Sequence, residues 1–182
     1  MIISNNVMFD LETLGTNNDS QVISIGACVF NKKGEILDTF YSAIKMCPDV
    51  HVKATPSTLL FWLGQGSEAF RSVMSDHESK KIIPALTSLS LWLVNYSDNM
   101  NTWANGTKFD IGMLERLYLE NSLSIPWIYN SDKCMRTVKG FAKKAGISVE
   151  VGFEGRPHHA LDDAIWQAKY VAEACNKLGL EL

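Results

Sequence analysis

Three short stretches hold residue types that can do acid–base and metal chemistry: Asp10-Leu11-Glu12, Phe109-Asp110 and His158-His159-Ala160-Leu161-Asp162-Asp163. Each alone carries little weight. Acids fill 20 of 182 positions, so an acid-x-acid pattern is expected about twice by chance in such a chain. A strand would give the first stretch more meaning. Side chains two apart in a strand point the same way, so Asp10 and Glu12 would face one side at its exit. The plain alternative is a solvated strand end. Asp110 has a plain alternative as a helix N-cap. Asp162 and Asp163 have one as first-turn acids that complement a helix dipole.

Taken together the stretches say more. If strand ends and helix starts adjoin, Asp10, Glu12, Asp110 and Asp163 converge. Clustered carboxylates repel, and at least one then keeps its proton far above the ordinary range unless cations are present. Mg²⁺ or Mn²⁺, hard and oxygen-seeking, relieves that repulsion. Two such ions about 4 Å apart are a standard device for phosphodiester cleavage. A loop histidine entering the last helix can accept a water's proton. His158 and His159 stand five and four residues before Asp163, and spacing alone leaves both open.

These side chains need a scaffold. Residues 7–9 form an apolar run ending at Asp10, as in a buried strand whose C-terminal end meets solvent. Residues 21–30 and 35–44 are apolar and β-branched, and the polar turn Asn31-Lys32-Lys33-Gly34 between them predicts an antiparallel hairpin. Helical spacing follows over 56–74 and 81–96 (Leu86, Leu89, Leu93, Tyr96), with Pro56 and Pro84 near the starts. A short strand is expected over 101–104, a helix from about Asp110 to Asn121, and a helix over 134–145 closed by Gly146, with one further short strand in between. The last helix, about Ala160 to Leu178, has the clearest pattern: Leu161, Ala164, Ile165, Ala168, Val171, Ala172, Cys175 and Leu178 recur at steps of three and four. This order predicts an α/β protein with a mixed sheet flanked by helices. Ligands of such sheets bind at the C-terminal ends of strands, where Asp10 and the 105–110 stretch fall.

Composition narrows the class. A chain of 182 residues fits one domain, 1–182. The 46% hydrophobic and 20% charged content is that of an ordinary globular protein, which excludes a disordered tail, a collagen and a coiled-coil rod. No apolar run approaches the ~20 residues that span a bilayer, and Met1–Asn6 is not a secretory signal, so the expected compartment is the cytoplasm. Cys28, Cys47, Cys134 and Cys175 show no zinc or Cys-x-x-Cys spacing and are expected as free thiols. A net charge of -3 gives no bulk attraction to nucleic acid, and a local basic patch is compatible with it.

The three motifs jointly resemble the DEDDh-type 3'→5' exonucleases of the ribonuclease H-like superfamily. Phe9-Asp10-Leu11-Glu12-Thr13, followed by Gly15, is similar to the first family motif, a strand ending in Asp-x-Glu-Thr. Gly106-Thr107-Lys108-Phe109-Asp110 is similar to the second. His158-His159-Ala160-Leu161-Asp162-Asp163 is similar to the third, His-x-Ala-x-x-Asp. Order is kept from residue 9 to 163. The segment Thr58–Gln65 resembles a smaller phage and bacterial branch with exoribonuclease-like members. The resemblance implies a ribonuclease H-like sheet of about five strands, an antiparallel hairpin plus parallel strands. It implies two Mg²⁺ or Mn²⁺ ions held by Asp10, Glu12, Asp110 and Asp163, with Asp10 bridging both, and His158 as general base. Leu11, Thr13, Leu14, Gly106 and Phe109 would meet the terminal nucleotide. Gly106 stands where the family often has an asparagine. A homodimer is also implied as plausible.

Other contacts rest on residue type. Lys133, Arg136, Lys139, Lys143 and Lys144 place five of the 17 basic residues within 12 positions. Arg136, Lys139 and Lys143 share a helical face that could meet phosphate or simply be solvated. Trp62 and Phe61 could stack bases or belong to the core. The expected activity is metal-dependent hydrolysis of the terminal phosphodiester of single-stranded or 3'-overhanging DNA or RNA. The competing expectations are a non-catalytic nucleic-acid-binding module with the same fold, and a phosphatase of small esters. DNA versus RNA depends on contacts to the 2'-position, which spacing does not assign.

Overall fold

The computed structural model describes residues 5–46, 52–65, 79–96 and 100–182. Cys47 and the 66–74 part of the expected first helix lie outside them. Five strands form one sheet: β1 (Asn6–Thr13), β2 (Val22–Phe30), β3 (Ile36–Ala43), β4 (Asn101–Ala104) and β5 (Asp132–Cys134), in the order β3-β2-β1-β4-β5. β1, β2 and β3 pair antiparallel, while β4 and β5 run parallel to β1. The expected hairpin is present. Asn31 Oδ1 accepts from the Lys33 and Glu35 N–H groups at 2.9 and 3.2 Å, and Gly34 supplies the left-handed backbone (φ 78°) that closes the turn.

The helices are α1 (Pro56–Gly64), α2 (Ile82–Leu93), α3 (Asp110–Glu120), α4 (Met135–Lys144) and α5 (Ala160–Leu178). The end of the second expected helix tightens into a 3₁₀ turn at Val94–Tyr96. No helix among the described residues is long and apolar enough to cross a membrane.

Strand alternation sorts the core into two layers. Val7, Phe9 and Leu11 of β1 join Ile25, Ala27 and Val29 of β2 against Leu86, Leu89 and Leu93 of α2 and Ile111, Leu114 and Tyr118 of α3. Met8, Cys28 and Phe30 point the other way, onto Met135 and Val138 of α4 and Ala164, Ala168 and Val171 of α5. All nine residues of β2 are buried, as a strand covered on both faces requires.

Two expectations need correction. β1 does not exit at Asp10. Pairing with β2 continues through Glu12↔Ser24 to Thr13↔Val22, so both acids lie within the strand. Nor is Asp110 a helix cap. It is the first residue of α3, Phe109 holds the cap position, and no side chain caps the helix.

Candidate active site

The even-numbered residues of β1 beyond Met8 are Asp10 and Glu12, so the pleat delivers both carboxylates to the α5 face. α5 can approach there because β2 carries a glycine. Gly26 pairs with Asp10, and a Cβ on it would lie 2.2 Å from the Ala160 carbonyl carbon. The start of α5 therefore rests on the strand backbone itself, which sets Asp163 and the preceding His158 over the two acids. One ligand atom from each of Glu12, His158 and Asp163 falls within 4.8 Å of the others. One turn further along α5, Gln167 Nε2 donates to Asp10 Oδ1 at 2.7 Å.

Asp110 arrives from the opposite layer. β4 pairs with β1 only as far as Phe9↔Ala104. The Leu11 N–H beyond that point donates to Asp110 Oδ1 at 3.3 Å. The first turn of α3 thus replaces the missing strand, and its carboxylate enters from the strand edge, 3% exposed.

The four acids feel one another. Burial, then the charges of Asp110 and Glu12, push the Asp10 carboxyl well above its usual range, and the Gln167 hydrogen bond acts the other way. Glu12 is pushed up to about 8 by burial, Asp163 and Asp110. Asp110 is pushed up to about 7 by burial, against the lowering effect of backbone N–H groups and the Arg136 guanidinium. Burial also raises Asp163, while His158 beside it lowers it. Carboxyls raised together in one place are a donor set suited to hard divalent cations.

The two histidines differ. His158 is half-buried, with its backbone in the left-handed region at φ 60°. That conformation is costly for a non-glycine residue and persists only when its surroundings enforce it. Asp162 supplies the enforcement. Its Oδ2 accepts from the Arg156 N–H at 2.9 Å and lies 3.4 Å from both Arg156 Nε and His159 Nδ1. His159 is buried, stacked on Tyr41 at 4.5 Å, with Nε2 2.8 Å from Arg156 Nη2. His158 belongs to the acidic cluster and His159 to its support.

Beside the cluster lies a cavity of about 410 Å³ bordered by Leu11, Thr13, Phe61, Phe109 and His158 among others. Trp62 borders it too but is 1% exposed, with Nε1–H donating to the Thr13 carbonyl at 2.9 Å. The open aromatic ring is Phe61, 41% exposed and edge-on to His158 at 4.9 Å. Leu14 packs beneath, with Ile23 and Trp62. Gly106 lies apart from the cavity, against Arg136. Gln167 and Gly26 escaped sequence reasoning. A buried glutamine between Ala164 and Ala168, four residues after Asp163, was the signal for the first.

Residues 5–175 match the family model described as the Rv2179c-like 3'-5' exoribonuclease domain. The chain belongs to that family. It is a 3'→5' exonuclease domain. No curated protein matches it. Among solved structures, the nuclease domain of 3'hExo, a DEDDh family member, bound to rAMP, is similar with a TM-score of 0.65 at 15% identity, covering 99% of this chain and 96% of that one. The RNase domain of yeast Pop2 is similar with a TM-score of 0.69 at 10% identity, covering 95% and 77%. Exonuclease I of E. coli in complex with a dT13 oligonucleotide is similar with a TM-score of 0.66 at 15% identity, covering 97% of this chain and 42% of that one. At these identities the likeness is one of fold. DEDDh exonucleases generally use divalent metal ions.

Proposed function

We propose that this exonuclease removes nucleotides one at a time from single-stranded or 3'-overhanging nucleic acid, releasing nucleoside 5'-monophosphates. The family description supports RNA as the first substrate to test. The observation that carries the reading is the gathering of Asp10, Glu12, Asp110, Asp163 and His158 beside a cavity of about 410 Å³, within the range of small-ligand sites.

Asp10, Glu12 and Asp163 would hold one Mg²⁺ or Mn²⁺ ion, and Asp10 with Asp110 a second. When bound, the ions supply charge neutralisation at the carboxylates and the phosphate, and Lewis-acid activation of water. The residues of the chain do the rest. The cavity receives the terminal nucleoside, with Phe61 open to its base. His158 takes the proton of the attacking water. Water oxygen bonds to phosphorus, the bond from phosphorus to the upstream 3'-oxygen breaks, and that oxygen leaves with the bonding pair and takes a proton from solvent to become a new 3'-hydroxyl. The proximity of His158 to Glu12 and Asp163, against the buried setting of His159, supports His158 for this role.

The test is a degradation panel of 3'-labelled RNA and DNA, single-stranded and overhanging, with Mg²⁺ or Mn²⁺. Asp10→Ala is expected to lower activity at least about 1,000-fold with the fold retained, given several kcal/mol of metal-dependent stabilisation. Chelation is expected to do the same reversibly. Activity that survives both would end the metal-site proposal.

A further inference from the structure

The basic cluster of α4 sends one side chain toward the acids. Arg136 is the second residue of that helix, and its N–H donates to the Asn105 carbonyl at 3.2 Å, tying α4 to the loop after β4. Its guanidinium lies beside Gly106. A Cβ on that glycine would sit 3.0 Å from Nη1 and 3.3 Å from Cζ, so a side chain there would displace the arginine. Gly106 thus leaves room for the cation. The cation is near enough to Asp110 to lower its carboxyl. Yet no hydrogen bond or ion pair among the described residues engages the guanidinium. Lys139 is otherwise committed, with Nζ over the Tyr170 ring at 5.8 Å. Lys143 and Lys144 lie in the last turn, about 10 Å along the helix from Arg136.

The position of Arg136 relative to the cavity decides what it can hold. The cavity lies toward Glu12, Thr13 and α1. β4 and β5, which Gly106 and Arg136 follow by two residues, lie on the other side of β1 from β2. Phe109, from the loop after β4, borders the same cavity, so a strand with its last nucleoside there and its last phosphodiester at the acids would have the loop after β4 and the start of α4 beside its upstream side. Arginine's planar fork matches two phosphate oxygens at once. We propose that Arg136, seated beside Gly106, clamps the phosphate next to the scissile one on its 5' side. The proposal rests on the exonuclease reading above and extends it to a substrate-contacting residue.

The experiment compares two substrates. One is a 3'-labelled oligonucleotide. The other is the p-nitrophenyl ester of a nucleoside 5'-monophosphate, which has a scissile phosphate and none upstream. Arg136→Ala is expected to lower kcat/KM on the oligonucleotide about tenfold or more, mainly through KM, as loss of a charge-assisted contact does, and to lower it far less on the ester, where only its effect on Asp110 remains. Gly106→Asn is expected to act in the same direction by pushing the guanidinium aside, and Lys139→Ala to change neither. The dependence of oligonucleotide KM on salt should become shallower in Arg136→Ala by about one phosphate contact. Equal losses on both substrates would place Arg136 at the carboxylates and overturn the clamp, as would no loss on either. A wild-type chain inactive on both substrates would sink the exonuclease reading itself, a result distinct from either.

Discussion

Two helix starts bring carboxylates to β1, and they do so by different means. α3 is held by hydrogen bonds: the Asp110 carboxylate accepts the Leu11 N–H and is nearly inaccessible. α5 is held by contact: Ala160 presses on the bare backbone of Gly26, while Asp163 and His158 stay half-buried. The hydrogen-bonded start fixes one acid firmly and brings its cap residue Phe109 to the cavity. The contact-held start leaves room for a strained histidine whose loop is latched by Asp162. Firm placement and adjustable placement thus sit on opposite sides of one strand, and the adjustable side carries His158, the residue proposed as proton acceptor.

The comparison can be broken most directly at Gly26. A methyl group there cannot fit 2.2 Å from the Ala160 carbonyl carbon, so Gly26→Ala must lift the start of α5. Activity should fall about 100-fold, the usual consequence of misplacing reacting groups by about 1 Å, with about 1–3 kcal/mol lost from stability. Nuclease assays and thermal melts measure both. A fully active Gly26→Ala would show that contact does not set the α5 side.

A smaller effect is expected from the latch. Asp162→Ala frees the Arg156 N–H and the His159 ring edge, letting His158 leave its left-handed backbone. Its kcat should drop about tenfold, about 1.4 kcal/mol in barrier, with KM nearly unchanged. A change confined to KM would assign the latch to binding instead.

The mildest test concerns both sides together. Glu12 and Asp110 hold protons more tightly folded than unfolded. Their contribution to the stability of the metal-free protein is therefore fully present only below the ordinary carboxyl range. That protein should lose stability as pH rises from 4.5 through about 8, the unfolded and folded values of Glu12. Mn²⁺, by keeping the carboxylates ionised, should flatten that decline. Melting curves with chelator and with Mn²⁺ across this range check it, and parallel curves would contradict it.

The elements and the three motifs were legible because apolar periodicity and acid spacing are local properties. Leu86, Leu89 and Leu93 announced α2, and Ala164, Ala168 and Val171 announced α5. What escaped was set by contacts between distant segments. Phe61 and Trp62 are both aromatic neighbours, and only packing against Leu14 and Ile23 decides which is buried. His158 and His159 are the same residue type twice, and only Tyr41 and Arg156 separate their roles. Gly26 in a strand suggested nothing until α5 was seen to lie on it. The strand appeared to end at Asp10 because the apolar run ends there, whereas pairing to Ser24 and Val22 carries it on.

The alternation of β1 also constrains how this gene can change. One residue inserted between Val7 and Asp10 would swing both acids into the layer of Leu86 and Ile111 and turn Leu11 toward Asp163 and His158. The length of that short run is therefore as restricted as the identity of the acids, and homologues should tolerate substitutions there far better than insertions or deletions.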